Sequence, residues 1–221
     1  MKKFLLTLAF AATAIPAYAQ ESLPELAENG LKALKAGDWE KALEFNAKAV
    51  STYGSNPKMA LQLYGAQFGV LVYRKGMAEL KLNKFEEAMQ SFESCYKDYP
   101  NDKVAGGRNL FQKMALLKWG DAAYGLENFE LAITQWKKFL EERDKAKDKY
   151  PQGAFHVNMA VAHYRLGKIV PGNEHLETAI QNKETFPTPD EAIVVGFQAL
   201  VTAAIEASDE RVLLDFIAKN R

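Results

Sequence analysis

The stretch LKLNKFEEAMQSFESCYKDYP, Leu80–Pro100, decides the fold. Asn83 and Lys84 form a short polar break between apolar segments. After the break, Phe85, Ala88, Phe92 and Cys95 lie in one stripe at helical spacing, and Pro100 stops the helix. This is the hinge and second helix of a helical hairpin. The same grammar recurs as LKAGDWEKALEFNAKAV (Leu34–Val50), as YGLENFELAITQWKKFL (Tyr124–Leu140) and, more faintly, as YRLGKIVPGNEHLETAI (Tyr164–Ile180). Four such copies predict an all-α chain, a solenoid of antiparallel helix pairs in which each unit buries its core against a neighbour.

Working outward, the hairpins are expected at about 22–55, 58–99, 104–149 and 153–183, with a terminal helix pair at 190–220, all within one domain spanning 20–221. Ser22 offers a hydroxyl cap for a helix over Glu21–Ala36, and Pro24 suits its first turn. Gly37 and Asp38 turn the chain, and Trp39, Ala42, Phe45 and Ala49 line the inner face of the returning helix. Met59–Leu82 contains no proline and reads as one long helix with neighbours on both sides. Pro100, Asn101 and Asp102 close the second hairpin, and Gly106 and Gly107 loosen the link to the third forward helix. Phe129, Ala132, Trp136 and Phe139 pack back, and the mixed charges of Glu141–Lys149 read as a solvated helix end. In the fourth pair, Ala154–Leu166 and Ile169–Ile180, Pro171 falls in the first turn of the second helix. Phe186–Pro189 makes a stiff link. Asp190 and Asp209 are then expected to cap two last helices that cover the open face of the array.

These units resemble the tetratricopeptide repeat family, helix-turn-helix pairs stacked into a right-handed superhelix. The family's small residue midway along the first helix is matched by Gly30, Gly76, Gly120 and Ala160. Its turn glycine is matched by Gly37 and Gly167 and replaced by Asn83 and Glu127; the aromatic two residues on is Trp39, Phe85, Phe129 and the aliphatic Ile169. The small residue opening the second helix is Ala42, Ala88, Ala132 and Gly172, and the later one Ala49, Cys95, Phe139 and Ala179. The first of these two sets recurs at intervals of 46, 44 and 40 residues, against about 34 in the family. Helices or links are therefore longer than usual, and a related non-repetitive α-solenoid is the alternative architecture. The resemblance further implies that Trp39, Phe85 and Phe129 are wedged within their own units, opposite Gly30, Gly76 and Gly120.

At the N-terminus, Met1–Lys3, the apolar run Phe4–Ile15 and Pro16–Ala19 have the layout of a secretory signal peptide over 1–19, with cleavage after Ala19. A periplasmic or secreted location, with no transmembrane segment after cleavage, is the expectation. Loss of Lys2 and Lys3 from 28 basic residues leaves two fewer than the 28 acidic ones, a formal charge of −2. This balance offers no general reason to bind nucleic acid. Cys95, the lone cysteine, sits on an apolar stripe and reads as core packing.

Motifs for chemistry are sparse. His156 and His163 lie seven apart on one helical face with His175 in the next helix, at positions that suit packing better than metal ligation. Glu86–Glu87 and Glu141–Glu142 are adjacent on a helix and do not face each other across a substrate. No metal or cofactor motif is present. The resemblance implies instead a concave groove, lined by the first helix of each unit, that binds a partner protein or peptide segment. Matched residue by residue, the inward set is Leu31 and Leu34, then Tyr73, Met77 and Lys81, then Leu117, Asp121 and Tyr124, and last Val157, Val161, Tyr164 and Arg165. The leading reading is a non-enzymatic protein-binding scaffold of the bacterial cell envelope. The rival is a helical envelope enzyme or glycan-binding domain acting on peptidoglycan, with Tyr73 and Tyr124 stacking on sugars and Glu79, read as an ordinary surface residue without a partner, as its weak acid candidate.

Overall fold

Serine, proline and glutamate at the start of the first helix cap it as their chemistry dictates. The Glu25 backbone N–H donates to Ser22 Oγ at 3.4 Å, while the Ser22 backbone N–H donates to Glu25 Oε2 at 2.9 Å, a reciprocal capping box that satisfies two otherwise orphaned donors. The computed structural model describes residues 21–65, 67–99, 110–146, 153–183 and 188–220. Outside these lie the expected signal peptide 1–19, the turn at Pro100–Asp102, the Gly106–Gly107 link, Phe186–Pro187 and the end of the Glu141–Lys149 charge run. The described residues form α1 (Leu23–Ala36), α2 (Trp39–Tyr53), α3 (Pro57–Tyr64), α4 (Phe68–Lys81), α5 (Phe85–Asp98), α6 (Leu110–Gly125), α7 (Phe129–Ala146), α8 (Gly153–Arg165), α9 (Ile169–Gln181), α10 (Pro189–Glu206) and α11 (Glu210–Lys219). Among them there is no strand.

Five hairpins, α1–α2, α4–α5, α6–α7, α8–α9 and α10–α11, turn in one way. A residue at positive φ ends each first helix: Gly37 (73°), Asn83 (56°), Glu127 (57°), Gly167 (66°) and Ser208 (52°). The N–H that follows it reaches back to a carbonyl five residues earlier, as in Asp38 to Ala33, Lys84 to Glu79 and Asp209 to Ala204, at 2.9–3.0 Å. This is the Schellman closure, which satisfies carbonyls that the helix end leaves open. Asn83 and Glu127 thus occupy the left-handed conformation that the family's glycine adopts, and the terminal pair shares the device through Ser208. Asp209 caps α11 as expected, accepting from the Arg211 N–H at 3.2 Å. Asp190 does not cap α10: the helix begins one residue earlier at Pro189, with Thr188 at the cap position.

Met59–Leu82 is two helices rather than one. Gly65 sits at φ 69°, ψ −173°, a region open essentially to glycine alone, and it separates α3 from α4. Tyr64 stacks on Phe68 across this break with ring centres 5.7 Å apart. The additional helix α3 accounts for part of the long first interval between repeats, and the 18 residues of α7 for part of the third.

Between the helices of a unit, the small residue of the first helix meets a large one of the second. A Cβ placed on Gly76 would come within 2.8 Å of the Phe92 ring, and one on Gly120 within 2.4 Å of Trp136. Both partners are fully buried. Gly30 faces Asn46 in the same way. Trp39, Phe85 and Phe129 are therefore not the wedges expected opposite these glycines; each is half-buried. Lys81 of the next unit lies over the Trp39 ring, and Phe85 packs on Gly125 of the next unit. Phe129 packs edge-on against Tyr124. Their position directly after the turn places them at the end of the seam. Ala42, Ala88, Ala132 and Ala49, Cys95, Phe139, Ala179 are buried as the repeat frame requires. Burial pushes the Cys95 thiol up to about 12, which keeps it protonated and unreactive.

First helices pack side by side, α1 on α4, α4 on α6 and α8 on α10, while each second helix wedges between its own first helix and the next. No substantial contact joins α2 to α5, α5 to α7 or α7 to α9 among the described residues. Except between α6 and α8, which make no substantial contact among the described residues, this closer spacing of the first helices makes theirs the inner face of the curve.

Candidate functional site

Two cavities open on this inner face. The larger, about 590 Å³, lies among α1, α3, α4 and α6, with walls that include Leu23, Val70, Leu71 and Phe111. The smaller, about 360 Å³, lies among α6, α8 and α10 and is lined by Tyr124, Val161, Tyr164 and Arg165 together with Gln198 and Glu206. The larger has hydrophobic walls carrying few polar groups, the usual character of a binding cleft, whereas Arg165, Gln198, Thr202 and Glu206 make the smaller more polar.

The structure divides the expected groove set. Tyr124, Val161, Tyr164 and Arg165 come together at the smaller cavity. Tyr164 is itself buried, its hydroxyl donating to Asn173 Oδ1 at 2.9 Å, so it forms floor rather than a contact. Burial raises the Tyr124 hydroxyl, and Arg165 partly offsets this. Leu117 and Val157 are core residues. Leu31, Leu34 and Met77 are half-buried and line neither cavity. Tyr73 packs between Phe92 and Phe111 with ring centres 5.7 and 5.5 Å away. Lys81 is exposed, and Asp121 pairs with Lys118 at 2.7 Å while accepting from Trp136 Nε1 at 3.2 Å.

None of the expected set lines the larger cavity; its α4 wall is Phe68, Val70, Leu71 and Arg74. Arg74 is half-buried, and burial lowers its pKa. Its Nη1 donates to the Ala27 carbonyl at 3.4 Å, at the long limit for a hydrogen bond, and no carboxylate among the described residues pairs with it. Residue chemistry alone could have flagged an arginine that ends the apolar run Val70–Tyr73, but not the face it occupies.

The three histidines do meet. His156 Nδ1 and His175 Nδ1 are 3.0 Å apart, and His163 stacks on His175 at 5.4 Å and 17°. His163 is buried with neither ring nitrogen hydrogen-bonded. Burial, the two neighbouring rings and Lys137 push His175 down to about 4, and burial, Lys137 and Lys168 lower His163. Among the described residues, no group of three or more His, Cys, Asp or Glu is arranged to hold a metal.

Glu79 is buried, not the surface residue expected. Its carboxylate accepts from Ser91 Oγ at 2.5 Å and from Lys75 Nζ at 2.6 Å, and it lines neither cavity. A carboxylate so engaged cannot reach a substrate as general acid, so the rival reading loses its named residue.

The architecture is thus an all-α, tetratricopeptide-like solenoid of helix pairs. Residues 71–102, which cover most of α4 and α5, match the tetratricopeptide repeat family model. Among solved structures, the chain is similar to MamA from Desulfovibrio magneticus RS-1 spanning residue 41 to the end. Identity is 18%, coverage 91% of this chain and 94% of that one, and the TM-score 0.51. It is likewise similar to a MamA RS-1 ArsTM double mutant, at 19% identity, with the same coverage and a TM-score of 0.50. No curated protein matches the chain. The expected periplasmic or secreted location finds no support in these structures, which at 18–19% identity show the fold alone. No helix among the described residues is long and apolar enough to cross a membrane.

Proposed function

We propose that this protein is a non-enzymatic scaffold that holds a partner protein against the inner face built by α1, α4, α6, α8 and α10. The observation that carries this reading is the pair of cavities on that face, both formed between first helices of successive units. A solenoid presents such a face as one extended surface. Its curvature lets a segment of another protein bury apolar side chains at several units at once, and affinity gathers at a few well-packed anchors.

Photo-crosslinking tests it. A benzophenone side chain placed at Phe111 or Gln198, one beside each cavity, is expected to trap the same partner from cell extract. The same group at Lys48 or Glu130, exposed on α2 and α7, is expected to trap none. Crosslinks from the outer positions alone overturn the proposal.

A further inference from the structure

We propose that the larger cavity takes a segment of the partner protein that carries one acidic side chain among bulky apolar ones, with the carboxylate seated on Arg74. The inference rests on the scaffold reading above and specifies what that scaffold recognises.

Arg74 stands apart from the other half-buried cations on the first helices. Lys75 has Glu79 at 2.6 Å and Lys118 has Asp121 at 2.7 Å. Arg74 has only the long contact to the Ala27 carbonyl, although burial already disfavours its charged form. A guanidinium does not escape by losing its proton in a protein, so Arg74 is a partly desolvated charge with no counter-charge among the described residues. It is also the one charged side chain among the described residues lining the cavity. A carboxylate docked there would form paired charge-assisted hydrogen bonds with the planar fork of donors, in surroundings where they are screened less than on an open surface.

The walls define the rest of the occupant. Leu23, Val70, Leu71 and Phe111 enclose about 590 Å³ that a small carboxylate ion would leave largely wet. Removing that apolar surface from water requires side chains of the size of leucine or phenylalanine next to the acid. The cavity opens along the inner face rather than closing into a tunnel, and this suits a chain that continues past the acid in both directions. An arginine surrounded by apolar walls is also the composition in which binding energy concentrates at protein interfaces.

The test selects phage-displayed random 12-residue peptides on the full chain and, in parallel, on Arg74→Leu. The wild type is expected to enrich Asp or Glu flanked by Leu, Ile or Phe; Arg74→Leu is expected to keep the apolar preference and lose the acid. For the best peptide, Arg74→Leu and replacement of its acid by the amide should each weaken binding by roughly tenfold, and both together by little more, because they remove one interaction. Arg74→Lys, which keeps the charge but not the fork, should fall between. Circular dichroism melts of the variants report whether they fold, and the peptide carrying the amide tests the same contact on the unaltered protein. Wild-type peptides without an acid, or peptides that respond to Arg165→Leu and not to Arg74→Leu, overturn this proposal and leave the scaffold reading standing. Failure of both selection and crosslinking removes both. Sodium decanoate that binds the wild type, is lost in Arg74→Leu and competes with no peptide would make the cavity a fatty-acid site, which also overturns it.

Discussion

The second and fourth hairpins share a turn and a packing frame, yet treat polar groups in opposite ways. Between α4 and α5, Glu79 lies buried with Lys75 and Ser91 both within hydrogen-bond reach. Between α8 and α9, three imidazoles crowd together, with neither ring nitrogen of His163 hydrogen-bonded and the pKa values of His163 and His175 lowered. The contrast sets a buried carboxylate provided with hydrogen-bond donors against a cluster of bases whose burial and like neighbours disfavour the charged form. Both seams pack a small residue against a large one, so the polar difference is superimposed on a common apolar frame.

That frame carries the largest effect. Phe92→Ala is expected to cost about 3–5 kcal/mol and Leu176→Ala, at the equivalent place in the fourth hairpin, about 2–5 kcal/mol, because both side chains are fully buried. Phe85→Ala should cost only about 1 kcal/mol, roughly half the transfer free energy of a fully buried side chain, since Phe85 is half-buried. Urea denaturation of the three variants measures this, and a Phe85→Ala loss equal to that of Phe92→Ala would reverse the assignment of the seam.

Breaking the buried charge comes next. Ser91→Ala or Glu79→Gln should destabilise by about 1–3 kcal/mol, whereas the double change Lys75→Met with Glu79→Leu should recover most of that loss. The second hairpin would then be as apolar as its frame allows. A double variant no better than Glu79→Gln would show that the triad, rather than the packing around it, holds the seam.

What the sequence made legible follows the reach of each signal. The stripe of Ala88, Phe92 and Cys95 is periodic and local, and all three are buried. Phe85 belongs to the same stripe by spacing, but it is the first residue after the turn and so sits at the edge of the seam. Gly65 breaks Met59–Leu82 through one backbone angle, which periodicity does not encode, since a lone glycine is often tolerated within a helix. Glu79 was opaque because its partner Ser91 is across the turn on another helix. On the inner face, Tyr73 and Arg74 are one residue apart, about 100° of helix rotation. The family frame selected Tyr73, and the neighbouring helices place Arg74 at the larger cavity.

The fourth hairpin should respond to acid through its histidines. His175 titrates near 4 in the folded chain against about 6.5 unfolded. Between those values the unfolded chain binds the extra proton, so stability rises with pH through this window and is lost as pH falls from about 6.5 towards 4. The lowered pKa of His163 acts in the same direction. Urea midpoints at pH 7, 5 and 4 should fall more steeply for the wild type than for His175→Asn. Parallel pH profiles would mean that these rings are charged without cost in the fold.

The turn, common to both hairpins, offers the smallest and cleanest comparison. Gly167 and Asn83 hold φ of 66° and 56°, and a Cβ built at Gly167 meets nothing within 4 Å. Gly167→Ala is therefore a purely conformational change: it asks a residue with a Cβ to occupy the left-handed region, at a cost of about 1 kcal/mol. Asn83→Ala should cost less, because Asn83 already bears a Cβ there and gives up only the local stabilisation that suits asparagine to this conformation. Asn83→Gly should in turn gain a few tenths of a kcal/mol, the relief of strain being partly offset by the greater freedom of glycine in the unfolded chain. Thermal unfolding of the three variants at one pH gives the order. Equal losses for Gly167→Ala and Asn83→Ala would show that the asparagine side chain contributes nothing to its turn.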